Sequence, residues 1–321
     1  MTKIIDLHCD TIMALYQDKS NCLYENDLQI DLKKLNSGNY LAQVFAMFVY
    51  LKAPNPFKTC NEMLDLFYLE LEKNKDNLGL ALNYEELIKN EIKGLLNAIL
   101  SIEEGGVIEG DINNLDHFYQ RGIRMICLNW NFLNGIGHPN YHDFENRDFT
   151  KPNTEFGLTE FGFEVVKKME ELGMIIDVSH LSDKGFWDVY NSTTKPFIAS
   201  HSNARSICNH VRNLTDDMIK ALASRGGVIG LNFCTDFVKV NAKQTEVNDI
   251  VKHALHIIKI GGVDCLAIGT DFDGIPRTVE IDHAGEINKL VMAFKEAGLS
   301  EEDIEKICHK NFLRVFKEVC G

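Results

Sequence analysis

A chain of 321 residues, 45% hydrophobic and 25% charged, carries enough apolar material for a sizeable core. Its net charge of −14 argues against a nucleic-acid partner, because phosphate binding calls for a basic surface. No apolar run approaches the roughly 20 residues of a membrane span, so no membrane partner is expected.

Short apolar runs alternate with amphipathic stretches from one end to the other. Residues 3–7, 41–49, 97–102, 123–128, 174–178, 196–200, 227–232 and 265–270 read as strands, near-continuously apolar as strands buried on both faces are. Met1-Thr2-Lys3 leads straight into the first with no secretory pattern. The nine cysteines are scattered with no Cys-x-x-Cys pair. Together these read as reduced thiols in a cytoplasmic protein.

The first strand runs into Asp6-Leu7-His8-Cys9-Asp10. Alternation along a strand puts His8 and Asp10 on one face and Cys9 on the other, so an imidazole and a carboxylate can grip one divalent ion. Residues 52–95 exceed one crossover and predict two helices. The third strand ends in Glu103-Glu104-Gly105-Gly106. After the fourth comes a long connection, 131–157, with Gly135, Gly137, His138, Pro139 and His142; its functional reading is a substrate lid. The spacing of Leu158, Phe161, Val165, Met169 and Leu172 predicts a helix over 158–172, N-capped by Thr159 and ended by Gly173. Ser182 and Thr215 are N-caps for helices at 183–191 and 216–224, and further helices are expected at 246–260, 284–297 and 301–318. The fifth, sixth and eighth strands end in Asp177-Val178-Ser179-His180, Ser200-His201-Ser202 and Thr270-Asp271-Phe272-Asp273-Gly274.

Eight strands with helical crossovers point to an α/β fold, a (β/α)₈ TIM barrel of the metal-dependent hydrolase type, formed as a single domain over 1–321. An open doubly wound sheet is the rival, but no Gly-x-Gly-x-x-Gly fingerprint follows the first strand and no P-loop is present. Barrel enzymes keep their chemistry at the C-terminal strand ends, where His and carboxylate recur here. A polar strand end can simply cap the next helix, but that reading has no preference for His and carboxylate over Ser and Asn. Three His and at least three carboxylates exceed the three protein ligands of one catalytic zinc and suit two ions about 3.5–4 Å apart. Glu104 is the natural bridge between them, because Gly105 and Gly106 leave room for a tight turn beside it.

These strings, with Arg212-Asn213-Leu214-Thr215-Asp216-Asp217 and Asn311-Phe312-Leu313-Arg314-Val315-Phe316, fall in order from residue 6 to 316. The ordered set resembles the membrane dipeptidase (renal dipeptidase) family, peptidase family M19 of the amidohydrolase superfamily. That resemblance implies a zinc-dependent dipeptidase, cleaving dipeptides, including ones with C-terminal D-residues, by metal-activated hydroxide. It implies His8 and Asp10 on one Zn²⁺, His180 and His201 on a second, and Glu104 bridging the two. Asp271 would be the acid/base and Arg212 the clamp on the dipeptide carboxylate; a homodimer is implied too. The vertebrate members carry an oxyanion-binding His shortly after the fourth strand. The matching stretch here is Leu128-Asn129-Trp130-Asn131, with Trp130 in that place. Asn129, Asn131 or His138 are the candidate replacements, and Trp130 can serve as an apolar wall. The alternatives are a related amidohydrolase acting on N-acyl amino acids or lactones, and a metal-binding homologue with impaired catalysis.

Overall fold

The computed structural model describes residues 2–141 and 148–321. Its strands are β1 (Ile4–Cys9), β2 (Tyr40–Phe48), β3 (Leu78–Leu80), β4 (Leu96–Glu103), β5 (Ile123–Cys127), β6 (Ile175–Asp177), β7 (Ile229–Leu231) and β8 (Leu266–Ile268). All pair in parallel, in the order β6-β5-β4-β2-β1-β8-β7, with β3 against the start of β4. The sheet curls until its free edges, β6 and β7, meet across residues 196–200, where Ile198 bridges Asp177 and Ala199 bridges Ile229. The fold is therefore the α/β TIM-barrel type, with its sixth position reduced to two bridges. Pro196 removes a ladder donor at the start of that segment. The walls also close tightly: a Cβ on Gly230 would lie 1.9 Å from the Ser200 carbonyl oxygen.

The caps read from the sequence are in place. Thr159, Ser182 and Thr215 accept from the backbone N–H of Gly162, Gly185 and Met218 and open the helices Glu160–Leu172, Asp183–Ser192 and Asp216–Ser224. Gly173 ends the first of these at φ 73°. Residues 52–95 hold the helices Pro56–Lys73 and Tyr84–Ile92, with β3 between them. The 301–318 pattern resolves into Glu301–Glu305, a π turn at Lys306–Lys310, and a final helix Asn311–Cys320. The 131–157 connection forms isolated bridges, Gly137 with Leu158 and Tyr141 with Pro152; His142 lies outside the described residues. Among the described residues no helix is long and apolar enough to cross a membrane.

Two apolar layers follow from strand alternation. Val44, Ile99, Met125, Ile175 and Ile198 form the inner layer, which meets Phe312, Val315, Phe316 and Val319 of the final helix. Phe45, Leu100, Ile102 and Cys9 belong to the outer layer under the crossover helices. The final helix thus plugs one end of the barrel and leaves the other, at the C-terminal strand ends, for polar groups.

Candidate active site

Alternation decides which side chains reach that open end. In β4, Ile99 belongs to the inner layer and Leu100 and Ile102 to the outer, so Glu103 falls on the inner face. Its carboxylate lies 3.0 Å from His180 Nε2, 3.3 Å from His8 Nε2 and 3.5 Å from His201 Nε2. Glu104, the expected bridge, is turned away from this cluster. It stands beyond the strand at φ 84° and accepts from Trp130 N at 2.9 Å, Gly106 N at 2.8 Å and Asn134 Nδ2 at 2.5 Å. The Gly-Gly turn is held by Glu104 as a cap; Glu103 is the carboxylate facing the histidines.

The other expected residues converge with Glu103. His8 Nε2 lies 3.7 Å from Asp10 and 3.9 Å from Asp271. His180 Nε2 and His201 Nε2 are 2.9 Å apart. All of these side chains are buried, Asp271 the most open at 8%. The Cys9 thiol donates to the Val44 carbonyl at 3.5 Å on the far side of β1.

The hydrogen bonds behind the imidazoles fix their tautomers. His180 Nδ1 donates to Asn131 Oδ1 at 2.9 Å, and Arg212 Nη2, which can only donate, points at His180 Nε2 from 3.0 Å. Ser200 donates to Asp177 at 2.5 Å, so its oxygen accepts from His201 Nδ1 at 2.7 Å. Both Nε2 atoms therefore carry lone pairs aimed at one another. Burial and the neighbouring Arg212 and His8 charges hold both pKa values well below the ordinary histidine range. Burial opposes a charged His8 too, but Glu103 and Asp10 outweigh it and hold its pKa well above normal. Burial raises Glu103 to about 8 and Asp271 to about 6, and Asp10 adds to both.

This arrangement suits divalent cations. His8 Nε2 and Asp10 Oδ1 are buried without a hydrogen-bond partner, and facing lone pairs repel unless a cation sits between such groups. His8, Glu103 and His201, and His8, Asp10 and Asp271, each bring three ligand atoms within 4.8 Å of one another. Imidazole and carboxylate are the donors of zinc and related ions. Space is kept for them: a Cβ on Gly274 would lie 2.1 Å from Asp10 Oδ2 and 2.8 Å from Asp271 Oδ1.

Asp271 stands at φ 64° and accepts from Asn232 Nδ2 at 2.9 Å. Arg212 is 1% exposed; it donates to the carbonyls of Ser179 and His201, and its buried Nε has no partner. The Trp130 ring packs 5.0 Å from those of Phe48 and Phe132 and 6.0 Å from His180, as an apolar wall. Asn129 donates to the carbonyls of Phe132 and Gly137 inside its loop, and His138 stacks on Phe156. Asn131 is the one of the three that lines the cavity. Asn232, Ser200 and Gly274 are not legible in the sequence as supporting groups, because they meet Asp271, Asp177 and Asp10 only across neighbouring strand ends.

A buried cluster of imidazoles and carboxylates at the C-terminal end of a parallel barrel defines a metal-dependent hydrolase type of site. The model of the membrane dipeptidase family, peptidase family M19, matches residues 1–320, and the chain belongs to that family. It is 34% identical over 245 residues to an uncharacterized protein in the pqqA 5′ region of Klebsiella pneumoniae, covering 75% of this chain and 89% of that one. The crystal structure of dipeptidase AC, a metallo peptidase of family M19, shares the fold at TM-score 0.91 and 24% identity, over 100% of this chain and 99% of that one. A metallo peptidase from Rhodobacter sphaeroides, liganded with a phosphinate mimic of the dipeptide L-Ala-D-Ala, does so at TM-score 0.91 and 23% identity, over 99% of both.

Proposed function

We propose that residues 1–321 act as a zinc-dependent dipeptidase in which His8, Asp10, Glu103, His180 and His201 would hold two ions. The observation that carries this reading is the convergence of three imidazole Nε2 atoms and three buried carboxylates, with His8 Nε2 and Asp10 Oδ1 left unpartnered. Cations bound there would lower the pKa of a water toward neutrality and would polarise a carbonyl. The chain's own residues do the rest. Asp271 takes the proton of the attacking water and passes it to the leaving amine; its carboxylate is kept in place by Asn232. Asn131, with Oδ1 engaged by His180, turns Nδ2 to the developing oxyanion in place of the family histidine. Arg212 meets the C-terminal carboxylate with its spare Nε. The family membership and the ligand of the Rhodobacter structure support dipeptides, including ones with C-terminal D-residues, as substrates.

Metal analysis paired with a panel of LL- and LD-dipeptides, esters and lactones tests the reading. The expected result is chelator-sensitive dipeptide hydrolysis, lost by about 100-fold or more in kcat in Asp271→Asn. Metal-loaded protein that cleaves lactones or esters but no dipeptide would sink it.

A further inference from the structure

Beside the catalytic cavity, of about 170 Å³, lies a chamber of about 510 Å³. The two share Trp130, Asn131, Cys234 and Phe237 as walls, so they lie side by side. Besides Trp130, four rings wall the chamber. Phe149 stacks on His210 with centroids 5.1 Å apart and planes 18° off parallel; His210 lies 4.6 Å from Phe237, and Tyr141 5.6 Å from Phe149. Burial, with Arg212 and Arg205 nearby, pushes His210 down to about 3, so its ring is neutral. Among the described residues the one charged side chain in the wall is Asp236, exposed at the rim. A concave, largely aromatic box of this size suits a large apolar group.

Its place relative to Arg212 says which end of a substrate enters it. The Arg212 guanidinium lies 5.2 Å from the centre of the Phe237 ring. Arg212 N donates to His210 Nδ1 at 3.1 Å, and Val211 N donates to the Phe149 carbonyl at 2.8 Å. The chamber wall and the arginine thus belong to one pinned stretch of chain. A carboxylate on Arg212 sets the neighbouring Cα beside Phe237, with its side chain directed into the chamber. The other half of the substrate meets Met13, Phe48 and Ile275 in the smaller cavity, which must also hold the scissile bond.

We propose that the chamber binds the side chain of the C-terminal residue, and that this protein prefers dipeptides with a small N-terminal and a bulky apolar, above all aromatic, C-terminal residue. The inference rests on the dipeptidase reading and on Arg212 as its carboxylate partner.

The test compares kcat/KM for Ala-Ala, Ala-Phe and Phe-Ala on the metal-loaded protein and on Phe149→Ala. Phe149 is 38% exposed, so its truncation leaves the core intact. Ala-Phe should exceed Phe-Ala by about tenfold or more, the scale on which an apolar pocket discriminates. The ratio of Ala-Phe to Ala-Ala should fall by about threefold or more in Phe149→Ala. Free phenylalanine should perturb the fluorescence of Trp130 at the junction, and alanine should not. Equal rates for Ala-Phe and Phe-Ala, a ratio untouched by Phe149→Ala, a preference for C-terminal Lys through Asp236, or phenylalanine without effect on Trp130 would overturn the chamber assignment while leaving a dipeptidase. Hydrolysis of no dipeptide at all would overturn the dipeptidase reading and the chamber with it.

Discussion

At one end of the barrel, Val44, Ile99 and Met125 meet Phe312, Phe316 and Val319 in one apolar cluster. At the other end the same strands and their neighbours deliver Glu103, His8, His180 and Asp271, charged or polar groups each buried within 4 Å of at least one of the others. Burial stabilises the first end by about 25 cal/mol per Å² of apolar surface. At the second, each buried group without a partner costs about 1–3 kcal/mol until a ligand meets it. The apolar plug therefore supplies stability that the ligand-binding end consumes. The period-two alternation that builds one end also aims the side chains at the other.

The strongest test of this division separates two adjacent glutamates. Glu103→Gln removes the carboxylate that faces all three imidazoles. It is expected to lower kcat/KM by about 10⁴-fold, about 5.5 kcal/mol, with loss of bound metal in elemental analysis. Glu104→Gln keeps one oxygen, which can still accept from Gly106 N and Asn134 Nδ2, and loses the acceptor for Trp130 N; it should cost stability but stay within about tenfold of the parent in kcat/KM with its metal content intact. The reverse pattern would restore Glu104 as the bridging residue and break the alternation argument.

At the plugged end, Phe316→Ala should cost about 3–5 kcal/mol of unfolding free energy, since the ring is 0% exposed and its cavity cannot be refilled. Denaturant unfolding measures the loss. The KM for a dipeptide, measured on the folded fraction, should not move. A change in KM without a change in stability would mean that the two ends are not separable.

Most of the barrel is legible in the sequence because its signals are local. The apolar runs mark the strands, and Thr159, Ser182, Thr215 and Gly173 mark helix ends through bonds made within a few residues. The three-residue β3 carries too few side chains to show a period, and Pro196 reduces the 196–200 segment to bridges. His8, Asp10, His180, His201 and Asp271 are readable as strand ends. Glu103 is readable as well, if alternation is counted from Ile99 rather than inferred from the Gly-Gly turn that follows Glu104. The chamber is not readable: Tyr141 and Phe149 come from the 131–157 connection, His210 from the stretch after residue 200 and Phe237 from the short helix Thr235–Val238, and only tertiary structure sets their rings 4.6–5.6 Å apart.

A histidine away from both ends sharpens the contrast with the unpartnered His8. His253, in the helix Val247–Gly261, is 0% exposed and fully used: Nδ1 accepts from Ala204 N at 3.1 Å, and Nε2 donates to the Val238 carbonyl at 2.9 Å. Protonation would sever the first bond and bury a charge, and burial pushes its pKa down from 6.5 to about 4. Between those values the unfolded chain binds a proton that the folded chain refuses. Stability from this group is thus complete above pH 6.5 and falls by about 3 kcal/mol as the pH drops toward 4. His253→Gln removes the titration. The variant should be less stable at pH 7 yet lose less with acid, so that the two curves of unfolding free energy against pH converge between 6.5 and 4. Release of bound metal acts on both proteins and cancels in the difference. Parallel curves would mean that His253 does not contribute to the acid sensitivity, and the distinction between partnered and unpartnered histidines would lose its energetic content.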